Sequence, residues 1–300
     1  MSSSGSDEPV RAWRGLRLGP MYMVAATLVF TCMIAMVRIV RQDLSAWETI
    51  AWRGLVTLPL AAWWCRKHGV TIRRPGLMLT RSLLGFGAMT CFFVAAKGLP
   101  VVDISLVSKI QPLLVALVAV VTMGASERPG RSVVVALFFG LIGCMFLLGP
   151  DLGDAVVPYA DRWHYGWFAV ASAVCSALAH VTVRALVKTE RPASVVFWFQ
   201  AIVFPLSFIF ALGFGELQTL PSAFHALLLF LIGVGSFFGQ LLMTKGYALD
   251  RAAAVASASY TQPLFALAID LVVFGVTPSL NAWVGGTLIV FGGLWLLRAR

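Results

Sequence analysis

The sequence predicts an all-α integral membrane protein: ten transmembrane helices as two inverted-topology five-helix repeats. Three observations predict it. Hydrophobic residues supply 59% of the 300-residue chain and charged residues only 12%, against roughly 25% charged in an average soluble domain. A soluble globule of this length would lack the polar surface to cover itself. Apolar runs of spanning length, about 20 residues, consume the chain without leaving a soluble domain. The two halves also match in order along the sequence.

The same composition excludes disorder, collagen-like repeats and disulfide scaffolds. Net charge is +10, which in a soluble chain would suggest nucleic acid. Here the basic residues fall between apolar runs, as the positive-inside bias requires, so no nucleic-acid partner is expected. The five cysteines, Cys32, Cys65, Cys91, Cys144 and Cys175, are scattered without metal-ligand spacing and behave as small hydrophobes.

Spans are expected near 20–40, 47–65, 76–97, 101–123 and 131–149 in the first half. In the second they fall near 165–187, 195–214, 224–247, 252–275 and 280–297. The ninth is the weakest, because it opens with Ala and Ser. Residues 1–10 are polar, and Arg11 to Leu18 interleaves Arg with Trp13 and Leu as an interfacial anchor. The domain reading is therefore a cytoplasmic tail and basic segment over 1–19, a first repeat over 20–149 and an acidic external loop over 150–164. A second repeat over 165–297 and a cytoplasmic C-terminus at 298–300 complete it.

Orientation follows from Lys and Arg. With the N-terminus inside, the cytoplasmic segments hold 14 basic residues, among them Arg66, Lys67, Arg73, Arg74, Arg128, Arg131, Lys188, Arg191 and Arg251. The opposite side holds only 4: Arg38, Arg41, Lys97 and Arg162. The loop over 150–164 carries Asp151, Asp154 and Asp161. Both termini are expected in the cytoplasm of a cell, with the chain in a bacterial inner membrane.

The repeat is read from ordered matches. Arg38, Trp52 and Pro59 match Arg184, Trp198 and Pro205 at an offset of 146. Gly85, Gly87, Lys97 and Gly98 match Gly233, Gly235, Lys245 and Gly246 at 148. Ser108, Gln111, Pro112 and Leu113 match Ser259, Gln262, Pro263 and Leu264 at 151. Five spans is an odd number, so the second copy enters the membrane from the opposite side. That is the inverted repeat of secondary transporters.

Three stretches carry a resemblance to a known family: Trp52-Arg53-Gly54-Leu55, the segment AAKGLPVVDISLVSKIQPLLVAL over 95–117, and Glu127 followed by Gly140 and Gly143. On these the chain resembles the drug/metabolite transporter superfamily, in its ten-helix type with two EamA repeats. The resemblance covers essentially 20–297 and implies the fold rather than the substrate. The second copy departs from it: Phe199 stands at the position of Arg53, and no glutamate recurs at that of Glu127.

Ionisable residues deep in spans are costly and face a cavity or a partner. Arg53 lies roughly 9 Å into the second span and Lys109 roughly 12 Å into the fourth, both from the external side. Together they suggest one electropositive outer cavity. Arg53 either serves this cavity or bonds helix-end carbonyls; Lys109 has Asp103 as its nearest acidic candidate. Arg81, five residues from the cytoplasmic end of the third span, either snorkels or joins the site. His180, in the sixth, is a bonded packing residue or a site member. Lys97 and Lys245 mark helix ends.

Gln111-Pro112 and Gln262-Pro263 place a proline inside corresponding spans, with Tyr260 beside the second. Proline frees a backbone carbonyl, which is tolerated where neighbours or a cavity satisfy it. Paired interruptions of this kind point to a central binding site. Gly85, Gly87, Gly140, Gly143, Gly285, Gly286, Gly292 and Gly293 permit close helix approach, and Gly292-Gly293 also suits a homodimer contact. GxxxxGK[ST], HExxH, GxSxG and CxxC are absent, so no enzyme activity, ATP hydrolysis, metal or cofactor is expected.

The expected function is secondary transport of a small organic solute by alternating access. Two outer cations favour an anion or a carboxylate-bearing zwitterion such as an amino acid or organic acid. The competing readings are a non-transporting membrane scaffold or lipid-handling partner and, among transporters, a cationic drug exporter. The last would be expected to carry an embedded glutamate, which the first span lacks.

Overall fold

The computed structural model describes residues 17–40, 43–95, 99, 107–147, 163–214, 222–274 and 280–298. The side chains of residues 38, 147, 163, 270, 273, 274 and 298 are not among those described. The Arg38 side chain, Arg41, Lys97, Gly98, Asp103, the N-terminal segment to residue 16 and the loop acids Asp151, Asp154 and Asp161 lie outside this description.

Every described secondary-structure element is helical, because in hydrocarbon a chain must satisfy its backbone groups internally. The first half contributes α1 (Leu18–Val40), α2 (Ala46–His68), α3 (Pro75–Ala95), α4 (Gln111–Met123) and α5 (Arg131–Leu147). The second contributes α6 (Trp163–Leu186), α7 (Pro192–Gly213), α8 (Ala223–Leu249), α9 (Ala252–Ser257), α10 (Gln262–Phe274) and α11 (Leu280–Arg298). A 3-10 turn over Ala258–Thr261 joins α9 to α10, so the ninth span is one interrupted helix. Among the described residues, seven helical stretches are long and apolar enough to cross a membrane, and Gln111–Met123 and Arg131–Phe146 are shorter apolar helices. These are the helices of a membrane protein. The weak opening of the ninth span is real helix, buried from Ala252 to Ser257. Its small side chains fit a packed interior that hydropathy alone undervalues.

Local chemistry sets the ends. Ser45 caps α2 by accepting from the Glu48 N–H at 3.1 Å, and Ser222 caps α8 by accepting from the His225 N–H at 3.3 Å. Proline opens α3 and α7, where a missing N–H costs nothing. Gly69 follows α2 at φ +85°, a backbone conformation that favours glycine.

Packing pairs the halves with each other. The helix α1 runs against α8 and α6 against α3, while α2 meets α7 and α5 meets α11. Glycine permits the tightest of these approaches. A Cβ on Gly143 would lie 2.6 Å from the Gly285 carbonyl oxygen, and one on Gly54 would lie 2.4 Å from the Phe204 ring. Gly292, a close-packing glycine by the sequence reading, packs against Ala136 and Phe139 of α5.

One end of the bundle, the basic end, is closed by polar bonds. Glu127, 1% exposed, accepts from Arg184 Nε at 2.9 Å and from the N–H of Ala252, which opens α9, at 2.8 Å. Lys188 Nζ lies 3.7 Å from the same carboxylate. Glu190 accepts from the backbone N–H groups of Arg73 and Arg74, just before α3. Each glutamate thus ties a loop of one half to a helix start of the other, where the helix dipole favours an anion. Arg17 adds a contact to Asp250 at 3.8 Å.

Burial alone would raise the Glu190 carboxyl. Hydrogen bonds from Thr71, Arg73 and Arg74, with the Arg73 charge, outweigh it and hold the group below its ordinary value near 4.5. A carboxyl lowered in the folded state stabilises fully above its unfolded value, and that stabilisation is lost as pH falls through the folded one. The gap in melting temperature between wild type and Glu190→Gln should therefore be open at neutral pH and close below the carboxylate range. A gap independent of pH would refute this.

Candidate functional site

A cavity of about 390 Å³ occupies the half of the bundle remote from the basic end. Its walls come from α1, α2, α3 and α6, and from the chain leading into α4. Most of the wall is apolar, as in Ile34, Ile50, Phe92 and Phe93. The polar groups are Arg53, Thr49, Ser108, Gln111, Ser172 and Ser176. Few polar groups on an apolar wall is the usual construction of a small-molecule site.

Arg53 is brought there by α2. Its Nη2 lies 3.7 Å from Met89 Sδ, while its backbone does the packing. The Arg53 carbonyl accepts from Thr57 Oγ1 at 2.9 Å and lies against Gly233 of α8. Glu48 bonds Trp52 Nε1 at 3.4 Å. Among the described residues no carboxylate lies within ion-pair distance of Arg53, Arg81 or Lys109.

The expectation that Arg53 and Lys109 share one cavity is corrected here. Lys109, 9% exposed, is absent from the cavity wall; its Nζ donates to Gln262 Oε1 at 3.1 Å. Tyr260 Oη donates to the Lys109 carbonyl at 3.0 Å. The chain turns at Lys109-Ile110 before α4 resumes at Gln111-Pro112, and this turn aims Lys109 at the ninth span. Lys109, Tyr260 and Gln262 therefore join the two proline-marked interruptions to each other. Pro112 is buried at the start of α4, and Pro263 sits in the first turn of α10. Gly140 gives the Tyr260 ring its room: a Cβ there would lie 2.3 Å from it.

Arg81 does not snorkel. It is 4% exposed, donates through Nη2 to Gln240 Oε1 at 3.1 Å, and stacks 4.0 Å from the centre of the Phe199 ring. A neighbour from α8 holds it inward. His180 is hydrogen-bonded to Gln111, so the structure joins two residues that the sequence presents separately. Lys245 lies 6.0 Å from the Trp64 ring centre.

An embedded cation over an apolar cavity fits a protein that receives a solute from one side of a membrane. The model of the EamA-like transporter family matches residues 17–149 and again 165–298. This chain belongs to the EamA-like transporter family. It carries two copies of the family's repeat. The pseudopaline exporter CntI of Pseudomonas aeruginosa is 26% identical over 287 residues, covering 95% of this chain and 98% of that one. A riboflavin transporter of Brucella anthropi is 24% identical, covering 74% of this chain and 76% of its own. A crystal structure matches with a TM-score of 0.81 at 21% identity, over 93% of this chain and 97% of that one, which shows the shared fold. Family and relatives are transporters rather than enzymes, and they support a small-solute transporter in a membrane.

Two features escaped the sequence reading. The basic-end clamps join residues more than 50 positions apart: the resemblance marked Glu127 but not its partners, and no local pattern marks Glu190. The Gln240 partner of Arg81 sits in a hydrophobic run of α8 and looks like any polar interruption.

Proposed function

We propose that this transporter moves a small organic anion or carboxylate-bearing zwitterion, such as an amino acid or organic acid, by alternating access. The carrying observation is the Arg53 guanidinium in the wall of the cavity, with no carboxylate in ion-pair distance among the described residues. A solute carboxylate supplies the missing charge, and in low dielectric its sign matters strongly. Serine hydroxyls and Gln111 orient the rest of the solute, and the phenyl and aliphatic walls exclude water.

The exchanging parts are the repeats over 20–149 and 165–297, entering the membrane in opposite senses, with 150–164 external and both termini cytoplasmic in a cell membrane. The crossed packing of α1 on α8 and α6 on α3 supports this, since inversion interchanges those two pairs. The polar closure of the basic end and the cavity in the far half support one of the two access states. Lys109, Tyr260 and Gln262 form the joint between the interrupted helices.

A thermal-shift panel tests the charge assignment. Acidic and zwitterionic amino acids and organic acids should raise the melting temperature, and tetraalkylammonium ions should not. Stabilisation by the quaternary amines alone would replace the anion reading with the cationic drug exporter.

A further inference from the structure

A second polar group adjoins the cavity through the hydrogen bond between the wall residue Gln111 and His180. Arg81 lies at its centre, held by Gln240 and Phe199 and within electrostatic reach of Tyr247 and His180. The rings of His180 and Tyr247 stand 5.5 Å apart. Arg81 Nε and Tyr247 Oη are both buried, and among the described residues neither finds a hydrogen-bond partner. An unsatisfied buried donor costs free energy, and these two belong to side chains within electrostatic reach of each other.

The repeat explains why they are there. Carried to the second half by the offsets of 146 and 148, the cavity residues Ile34, Arg53 and Phe92 become His180, Phe199 and Gln240. Those are the side chains that surround Arg81. In an inverted repeat, exchange of the halves closes the observed cavity and opens its counterpart on these positions. The counterpart of Arg53 is an uncharged phenylalanine, and Arg81 of α3 lies on that ring's face, restoring the charge from a different helix.

We propose that Arg81, with Tyr247, forms a second carboxylate-binding subsite, exposed when the transporter opens towards the basic end. Arg53 receives the solute anion in one access state and Arg81 in the other. An arginine edge and a phenol hydroxyl suit a carboxylate, which accepts from both. The Gln111–His180 bond is the partition between the two subsites. This inference rests on the alternating-access reading.

Charged thiol reagents test it without knowledge of the solute. Ser236, 3% exposed, is the counterpart of the cavity residue Ala88 and lies one turn from Gln240. Ser236→Cys is placed in the full chain with its five native cysteines replaced by alanine. Membrane-impermeant sulfonate and quaternary-ammonium methanethiosulfonates are then applied to vesicles of each sidedness, with rates normalised to a small free thiol. From the basic end the sulfonate should react faster by on the order of tenfold, the effect of one nearby buried cation. Arg81→Gln should abolish that preference, and Arg81→Lys should keep it. A preference unchanged in Arg81→Gln overturns the Arg81 subsite alone. Labelling only from the opposite end, or from neither, overturns the alternating-access reading beneath it.

Discussion

Replacing Glu127 by alanine is expected to cost about 3–5 kcal/mol of stability, the usual penalty for stripping one partner from a buried ion pair. The carboxylate is 1% exposed, accepts hydrogen bonds from Arg184 and from the start of α9, and lies in ion-pair range of Lys188. Without it Arg184 keeps, among the described residues, the Tyr247 carbonyl at 2.7 Å as its hydrogen-bond acceptor, and the Ala252 N–H loses its own. Lys188 is 44% exposed at its side chain and finds water, so little of the loss comes from it. Glu127→Gln keeps an acceptor for Arg184 or for Ala252 and should fall between wild type and alanine. Thermal denaturation of purified protein in detergent measures the order. Alanine and wild type melting together would show that the basic end is held by something else.

The second large effect is functional. Arg53→Gln should weaken solute binding by about 10- to 100-fold, the equivalent of one or two charge-assisted hydrogen bonds. Its melting temperature should be unchanged or higher, because the side chain pays desolvation without an ion pair while the backbone carries the packing. Arg53→Lys keeps the charge and loses the planar fork, so its affinity should be intermediate. Titration of whichever anion stabilises the wild type reads all three. A variant that melts early would mean that Arg53 serves the fold.

Much of the architecture was legible because hydropathy measures one property, partition into hydrocarbon, and that decides where a span begins. The broken ninth span was legible too: Gln262-Pro263 repeats Gln111-Pro112, and both halves interrupt their helix just before the proline. What a helix faces is different. Depth placed Arg53 and Lys109 at similar levels, but the turn at Lys109-Ile110 sends the lysine to Gln262 rather than to the cavity. Distance from a helix end made Arg81 a snorkelling candidate, whereas Gln240 and Phe199 keep it inside. Such partners come from helices more than 100 residues away, so facing is decided by packing and not by the local run. Gly292 shows the same limit, since small residues mark a close contact without naming its partner.

This chain alone should carry a negatively charged or zwitterionic organic solute across a bilayer. Liposomes containing only the purified protein, loaded in turn with radiolabelled amino acids, organic acids and a quaternary amine, test it most directly. Flux of at least one carboxylate-bearing solute, lost in Arg53→Gln and absent for the quaternary amine, is the predicted result. Flux of the quaternary amine alone, or of no solute under any imposed ion gradient, would contradict it.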